Sequence, residues 1–199
     1  MITRKEMTRM LLKEGLLSWL ANNSFESVTV TSLCKASGIT RSTFYLHYSN
    51  IMEIVDDLVD DAIAYSKPGM VDNNNLQTIA NTLSAASNSV SLREAYDSIF
   101  DRLPLCQRII RHKKYLPLFL DEQISEYVLQ RIIGREKDRQ GLVMAEALGV
   151  SFDVGVSVFV FLVHGLYAVN KQYKWSQSDE WLEAQKIIFE LVYRGLQRR

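Results

Sequence analysis

The sequence predicts an all-α protein with a three-helix head at its N-terminus and a larger helical domain after it. Three observations lead to this fold class. Apolar residues recur at helical spacing along most of the 199 residues, Gly (9) and Pro (3) are scarce, and the Asn-Gly and Asp-Gly dipeptides of β-hairpins do not occur. We therefore expect residues 1–50 to form the head, 51–66 a connecting helix and 67–199 the second domain.

The head begins with a helix over about 3–22, predicted from three leucines four residues apart: Leu12, Leu16 and Leu20. Two short helices follow over about 29–48. Thr29 has the position of an N-cap for a helix over 30–37, and Gly38 stands where a left-handed residue would end it. Thr40 is then the N-cap of a helix over 41–48. Two helices joined by such a turn form a helix-turn-helix, whose second helix enters a DNA major groove.

The last of these helices is predicted to have two different faces. Phe44 and Tyr48 are four residues apart, so both lie on one side and can pack on the preceding helix together with Val30, Leu33, Cys34 and Ile39. The opposite side carries polar side chains long enough to reach base edges or phosphates: Arg41, Ser42, Thr43, Tyr45 and His47.

Charge agrees with this interpretation, because the first 50 residues carry six Lys and Arg against three Glu, and the remainder carries 17 basic against 20 acidic residues. A basic region suits a polyanionic partner. Cys34 and Cys106 match no metal or disulfide spacing, and the three histidines show no metal-ligand pattern. No catalytic motif is present, so we expect neither an enzyme nor a cofactor or metal site.

The head resembles the tetracycline-repressor (TetR-type) family of bacterial transcription regulators. The resemblance covers about residues 8–60 and depends on Phe25 and Val28, on the run from Thr29 to Tyr48, and above all on its core, Gly38-Ile39-Thr40-Arg41-Ser42-Thr43-Phe44-Tyr45. It implies a homodimer that binds a palindromic operator, with a second domain that binds a small-molecule effector and dimerises through its last two helices.

The resemblance also implies roles for single residues. Arg41, Ser42, Thr43, Tyr45 and His47 become DNA contacts, with Tyr45 on a phosphate and Thr40 placing a helix N-terminus at the DNA backbone. The sequence departs from the family at Ile51, where a phosphate-binding Lys is usual. We expect Arg4, Lys5 or Arg9 on the first helix to compensate.

After the head, Asn50 and Glu53 resemble a capping box for the connecting helix. The polar stretch around 68–75 predicts a domain boundary. Further helices are expected over 76–88, 91–103, 105–113, 118–134, 151–174 and 178–197, with a break at Gly134 and a solvated turn or helix end over 135–140.

The second domain is rich in aromatic side chains, which either fill a core or line an effector pocket. The candidates for a pocket are Tyr96, Phe100, Tyr127, Phe159 and His164. The last two helices carry more apolar surface than a monomer needs, which favours a dimer interface, and Gly165 would let helices approach closely there.

Residues 154–170 contain no Asp, Glu, Lys or Arg, so they pass the test for a short membrane span. We expect a buried helix of a soluble, cytoplasmic protein instead, because no second apolar span or flanking pattern supports insertion. Two other hypotheses stay open: a DNA-binding co-regulator controlled by a protein partner, and a membrane-associated helical protein.

Overall fold

The computed structural model describes residues 3–65, 75–103, 107–108 and 113–196, and within these ranges every regular element is helical. The all-α prediction is confirmed. The chain divides into two compact units. The first holds residues 1–66 together with 109–132, and the second holds 67–108 and 133–199. The segment 109–132 thus groups with the N-terminal residues, although its sequence position had assigned it to the second domain.

The first unit contains four helices near the N-terminus: α1 (Arg4–Leu20), α2 (Val30–Ser37), α3 (Arg41–Tyr45) and α4 (Ile51–Tyr65). A short 3₁₀ turn, Phe25–Ser27, lies between α1 and α2. Helix α1 packs on both α2 and α4. Its buried face is the predicted leucine stripe, Leu12, Leu16 and Leu20, with Leu17 beside it. Thr3 and Glu6 form a reciprocal capping box that fixes where α1 begins.

Helix α4 begins with the Asn50 cap that the sequence predicted, but the reciprocal hydrogen bond to Glu53 comes from the Ser49 N–H rather than from the Asn50 N–H. The Glu53 backbone N–H donates to the Asn50 side chain, while the Glu53 carboxylate accepts from the Ser49 N–H. Its buried face contains Ile54, Val55, Leu58, Val59, Ala62 and Ile63.

The segment 113–132 completes the first unit with α7 (Pro117–Leu120) and the start of α8 (Ser125–Leu148). Asp121 is almost fully buried and accepts hydrogen bonds from three backbone N–H groups: Phe25 at 2.7 Å, Gln123 at 2.9 Å and Ile124 at 3.2 Å. One carboxylate therefore caps the turn before α8 and also holds the 3₁₀ turn that leads into α2.

The second unit contains α5 (Asn75–Ser84), α6 (Ser89–Ser98), the rest of α8, α9 (Phe152–Gln172) and α10 (Asp179–Leu196). Helix α10 packs on α5 and α6. Helices α8 and α9 approach closely at two glycines. A Cβ at Gly155 would overlap the Gly141 carbonyl oxygen and lie 2.7 Å from the Ala145 nitrogen.

Three sequence-based expectations need correction. Helix α3 ends at Tyr45, and residues 46–47 form a turn, so the predicted end at Tyr48 was too late. Gly134 does not break a helix, and 135–140 is helical, because one glycine in open space costs only about 1 kcal/mol and the following residues favour a helix. Gly165 faces open space within the chain, so its close approach at a dimer interface stays a prediction; within the chain, helices approach closely at Gly155.

Two further predictions lie wholly or mainly outside the described residues: the polar boundary around 68–75 and the helix over 105–113. Among the described helices, Phe152–Gln172 is the one whose length and apolar composition would allow it to cross a membrane, and 28 % of its most apolar window is buried.

Candidate nucleic-acid interface

Three residues with local contacts fix where α2 begins, where it ends and where α3 begins. Thr29 accepts a hydrogen bond from the Ser32 N–H, and the Ser32 hydroxyl accepts from the Thr29 N–H, which fixes the start of α2. Gly38 ends α2 in the left-handed region, with φ of 66°. Thr40 then caps α3 by accepting from the Thr43 N–H at 3.2 Å. These contacts set the angle at which α3 leaves α2.

Beneath α3 lies a small core that holds the helix against α2 and α1. Phe44 is fully buried and Tyr48 nearly so, together with Leu33 and Cys34. Burial raises the pKa of the Cys34 thiol, as expected for a cysteine that serves as a small core residue. Val30 and Ile39 are half-buried, at the edge of this core.

The other side of α3 is open to solvent. Arg41, Ser42 and Tyr45 are exposed, whereas Thr43 and His47 are half-buried. The hydroxyl of Thr40 lies 2.9 Å from that of Ser42 and 2.8 Å from that of Thr43, so the three hydroxyls form one hydrogen-bonded group. The structure therefore brings together the polar residues that the sequence assigned to this surface.

Leu46 is a strongly exposed apolar residue in this region, with 81 % of its surface accessible, and it was not among the residues predicted to contact DNA. It follows the last residue of α3 and points away from the Phe44 core. The sequence indicates its exposure in one way: Leu46 is next to Tyr45, and helical periodicity places it on the side opposite the buried rings. An exposed leucine there offers an apolar contact such as the one a thymine methyl accepts.

The basic residues of α1 fall into two groups. Arg9 pairs with Asp57, and Lys13 pairs with Asp61, so both cations are occupied by α4. The contact with Asp57 raises the pKa of the Arg9 guanidinium. Arg4 and Lys5 are exposed and form no ion pair within the described part of the chain. Of the three residues expected to compensate for Ile51, Arg9 is therefore already paired, and Arg4 and Lys5 remain available.

Asp57 also holds Tyr48, the residue that follows the turn after α3. The Tyr48 hydroxyl donates to Asp57 at 2.6 Å, and the Arg9 Nε donates to the Tyr48 oxygen at 3.2 Å. Burial, with Asp57 as its acceptor, raises the pKa of Tyr48 well above its ordinary value. Three elements thus meet at one carboxylate: α1, the turn after α3, and α4.

The five pocket candidates are divided between the two units. Tyr127 lies in the first unit, and its hydroxyl donates to Asp56 at 2.7 Å. The remaining four lie in the second unit: Tyr96 and Phe159 are buried, and Phe100 and His164 are half-buried. A cleft of about 470 Å³ in that unit is lined by other residues, among them Asp179, Glu183, Lys186 and Glu190.

Comparison with protein-family models, with curated proteins and with solved structures gives no match for this chain. Among the described residues, no group of three or more His, Cys, Asp and Glu side chains is arranged to hold a metal ion.

Proposed function

We propose that this chain is a TetR-type transcription regulator that binds a palindromic DNA operator as a homodimer in the cytoplasm. In this proposal α2 and α3 are the helix-turn-helix, and α3 enters the major groove. The protein represses transcription until a small-molecule effector releases it from the operator.

One observation supports the DNA-binding proposal above all others. Helix α3 has one face anchored by Phe44 and another that presents Arg41, Ser42 and Tyr45 to solvent. A short, rigidly capped helix with an exposed guanidinium in its first turn can present that group to guanine O6 and N7 together. Arg4 and Lys5 add unpaired positive charge for phosphates.

The homodimer is supported by apolar surface on the last two helices. On α9, Phe161 is 74 % exposed and lies between Val154 and Gly165 on one open stripe. On α10, Ile187 and Leu191 are four residues apart and at least half exposed. Burying both stripes against a second copy would form a four-helix interface.

The test is selection of DNA fragments from a random pool by the purified protein, followed by footprinting. We expect two half-sites related by a two-fold axis, with centres about 34–36 Å or somewhat more apart. A single asymmetric half-site would contradict the dimer, and failure to enrich any sequence would contradict specific DNA binding.

Arg41 gives a sharper test of how α3 recognises DNA. Arg41→Ala should weaken operator binding by about 1–3 kcal/mol and relax the preference at one base pair, because a bidentate base contact is lost. Lys35→Ala is the matched control, since it removes one exposed positive charge from α2. Tyr45→Phe should weaken binding to all sequences alike. Equal weakening of operator and random DNA by Arg41→Ala would make Arg41 a phosphate contact.

The membrane-associated alternative is favoured by the same open face of α9, because most of that apolar helix is not buried within the chain. The two proposals differ in a simple measurement. A regulator purifies without detergent as a dimer, and Phe161→Glu should turn that dimer into soluble monomers. Recovery only in the membrane fraction would support the alternative.

A further inference from the structure

The second unit contains a cluster of uncharged polar side chains deep in its interior. The Tyr96 hydroxyl donates to Gln107 at 3.2 Å, and the Gln107 amide donates to Gln185 at 3.0 Å. The Trp181 indole N–H donates to Asn170 at 2.9 Å. All five residues are at least 99 % buried. Tyr96 and Trp181 also touch edge to face, with ring centroids 5.1 Å apart, so these residues form one continuous group.

Three polar atoms of this unit have no hydrogen-bond partner among the residues that the structure describes: Asn170 Nδ2, Gln185 Nε2 and the Tyr167 hydroxyl. Asn170 and Gln185 are fully buried, and Tyr167 is 6 % exposed. A buried polar group left unpaired is costly because it has lost its hydrogen bonds to water and gained none in the protein. Buried polar groups in proteins are therefore almost always satisfied, and the unsatisfied Asn170 and Gln185 amides point to a partner that the described residues do not supply.

The orientation of the two amides defines what that partner must offer. Asn170 has one possible orientation, because an indole N–H can only donate, so the amide oxygen faces Trp181 and the NH₂ group is left over. The Tyr96–Gln107–Gln185 relay can run in either direction, because a phenol both donates and accepts. Gln185 can therefore present a donor or an acceptor, whereas Asn170 presents only a donor.

The cluster also discriminates by charge. None of its side chains is ionised, so a buried ammonium or carboxylate ligand would lose its hydration without gaining a counter-ion. Arg108, next to Gln107 in sequence, directs its guanidinium toward the Asp101 carbonyl oxygen at 3.5 Å. The rings of Tyr96 and Trp181 supply an apolar, polarisable wall.

We infer that this cluster binds a small uncharged ligand, one that presents a hydrogen-bond acceptor to Asn170 and an aromatic or apolar body to Trp181 and Tyr96. The inference rests on the proposed function only in identifying this ligand as the effector. Binding is measured without DNA, so failure of the ligand site is distinct from failure of operator recognition.

The test uses three probes of the same size and different charge: benzamide, benzoate and benzylammonium. We expect benzamide at about ten times its Kd to raise the Tm by about 3 °C, with little effect of the charged probes. Asn170→Leu and Gln185→Met should weaken benzamide binding about fivefold to tenfold, measured by calorimetric titration. Gln172→Met, an exposed position on α9, is the control and should leave binding unchanged.

A third variant separates recognition from structural damage. Asn170→Asp keeps an oxygen for the Trp181 indole but replaces the free donor with a carboxylate, so selectivity should change from benzamide to benzylammonium. Equal binding of all three probes, benzamide binding that survives in Asn170→Leu and Gln185→Met, or no binding of benzamide at all would overturn the inference.

Discussion

The two compact units use polar side chains in opposite ways. In the first, the key buried or half-buried groups are carboxylates, and each is surrounded by donors: Asp121 accepts from three backbone N–H groups, and Asp57 accepts from Arg9 and Tyr48. In the second, the buried polar cluster is neutral, and the Asn170 and Gln185 amides each leave one polar atom without a hydrogen-bond partner among the described residues. The first arrangement ties separate elements together, whereas the second leaves buried polar atoms unsatisfied.

The units also differ in how their helices pack. The first unit joins its elements through long-range hydrogen bonds such as that between Phe25 and Asp121. In the second, α8 and α9 are so close that a Cβ at Gly155 would overlap backbone atoms of α8, and a Cβ at Gly141 would meet the Val156 side chain. Substitutions should therefore damage the two units through different mechanisms, and three predictions test that difference.

The largest effect is expected at Gly155. Gly155→Ala places a methyl group against the Gly141 carbonyl and Ala145, which are parts of a helix that cannot yield cheaply, so the free energy of unfolding should fall by about 3 kcal/mol. Gly134→Ala is the control: it lies in α8 with open space around it and should stabilise by about 0.5–1 kcal/mol. Urea denaturation measures both. Similar changes in the free energy of unfolding for the two variants would mean that α8 and α9 lie further apart than the structure has them.

A smaller effect is expected at Asp121 in the first unit. Asp121→Ala leaves the Phe25, Gln123 and Ile124 N–H groups without their charged acceptor and should cost about 2 kcal/mol. Glu122→Ala, an exposed neighbour, should change stability by less than about 0.5 kcal/mol. Because the Phe25 turn precedes α2, operator affinity should fall only in the first variant. Equal effects in both would show that Asp121 does not anchor that turn.

The smallest effect concerns alkaline pH. Burial and Asp57 raise the pKa of Tyr48 in the folded state above its unfolded value of about 10. The contribution of Tyr48 to stability is therefore complete below pH about 10 and is lost as pH rises toward the folded pKa. Between pH 9 and 11 the wild type should lose about 1 kcal/mol that Tyr48→Phe does not lose, measured by urea denaturation at each pH. Identical pH profiles would contradict the buried Tyr48–Asp57 contact.

The sequence by itself determined the elements whose signals are local. The caps at Thr29 and Thr40, the left-handed Gly38 between them, and the Asn50–Glu53 start of α4 depend on contacts within four residues, so the chain order specifies them. The inward and outward faces of α3 follow from helical periodicity alone, and the structure has Phe44 buried and Arg41 exposed.

The tertiary structure decided what depends on residues far apart in the chain. No local pattern shows that Asp121 contacts Phe25, that Arg9 is already paired with Asp57, or that α8 and α9 approach closely at Gly155. Asn170 and Gln185 did carry a signal, since each interrupts an apolar helix face. Whether such a group is paired depends on which side chains of other helices reach it, and periodicity does not encode that.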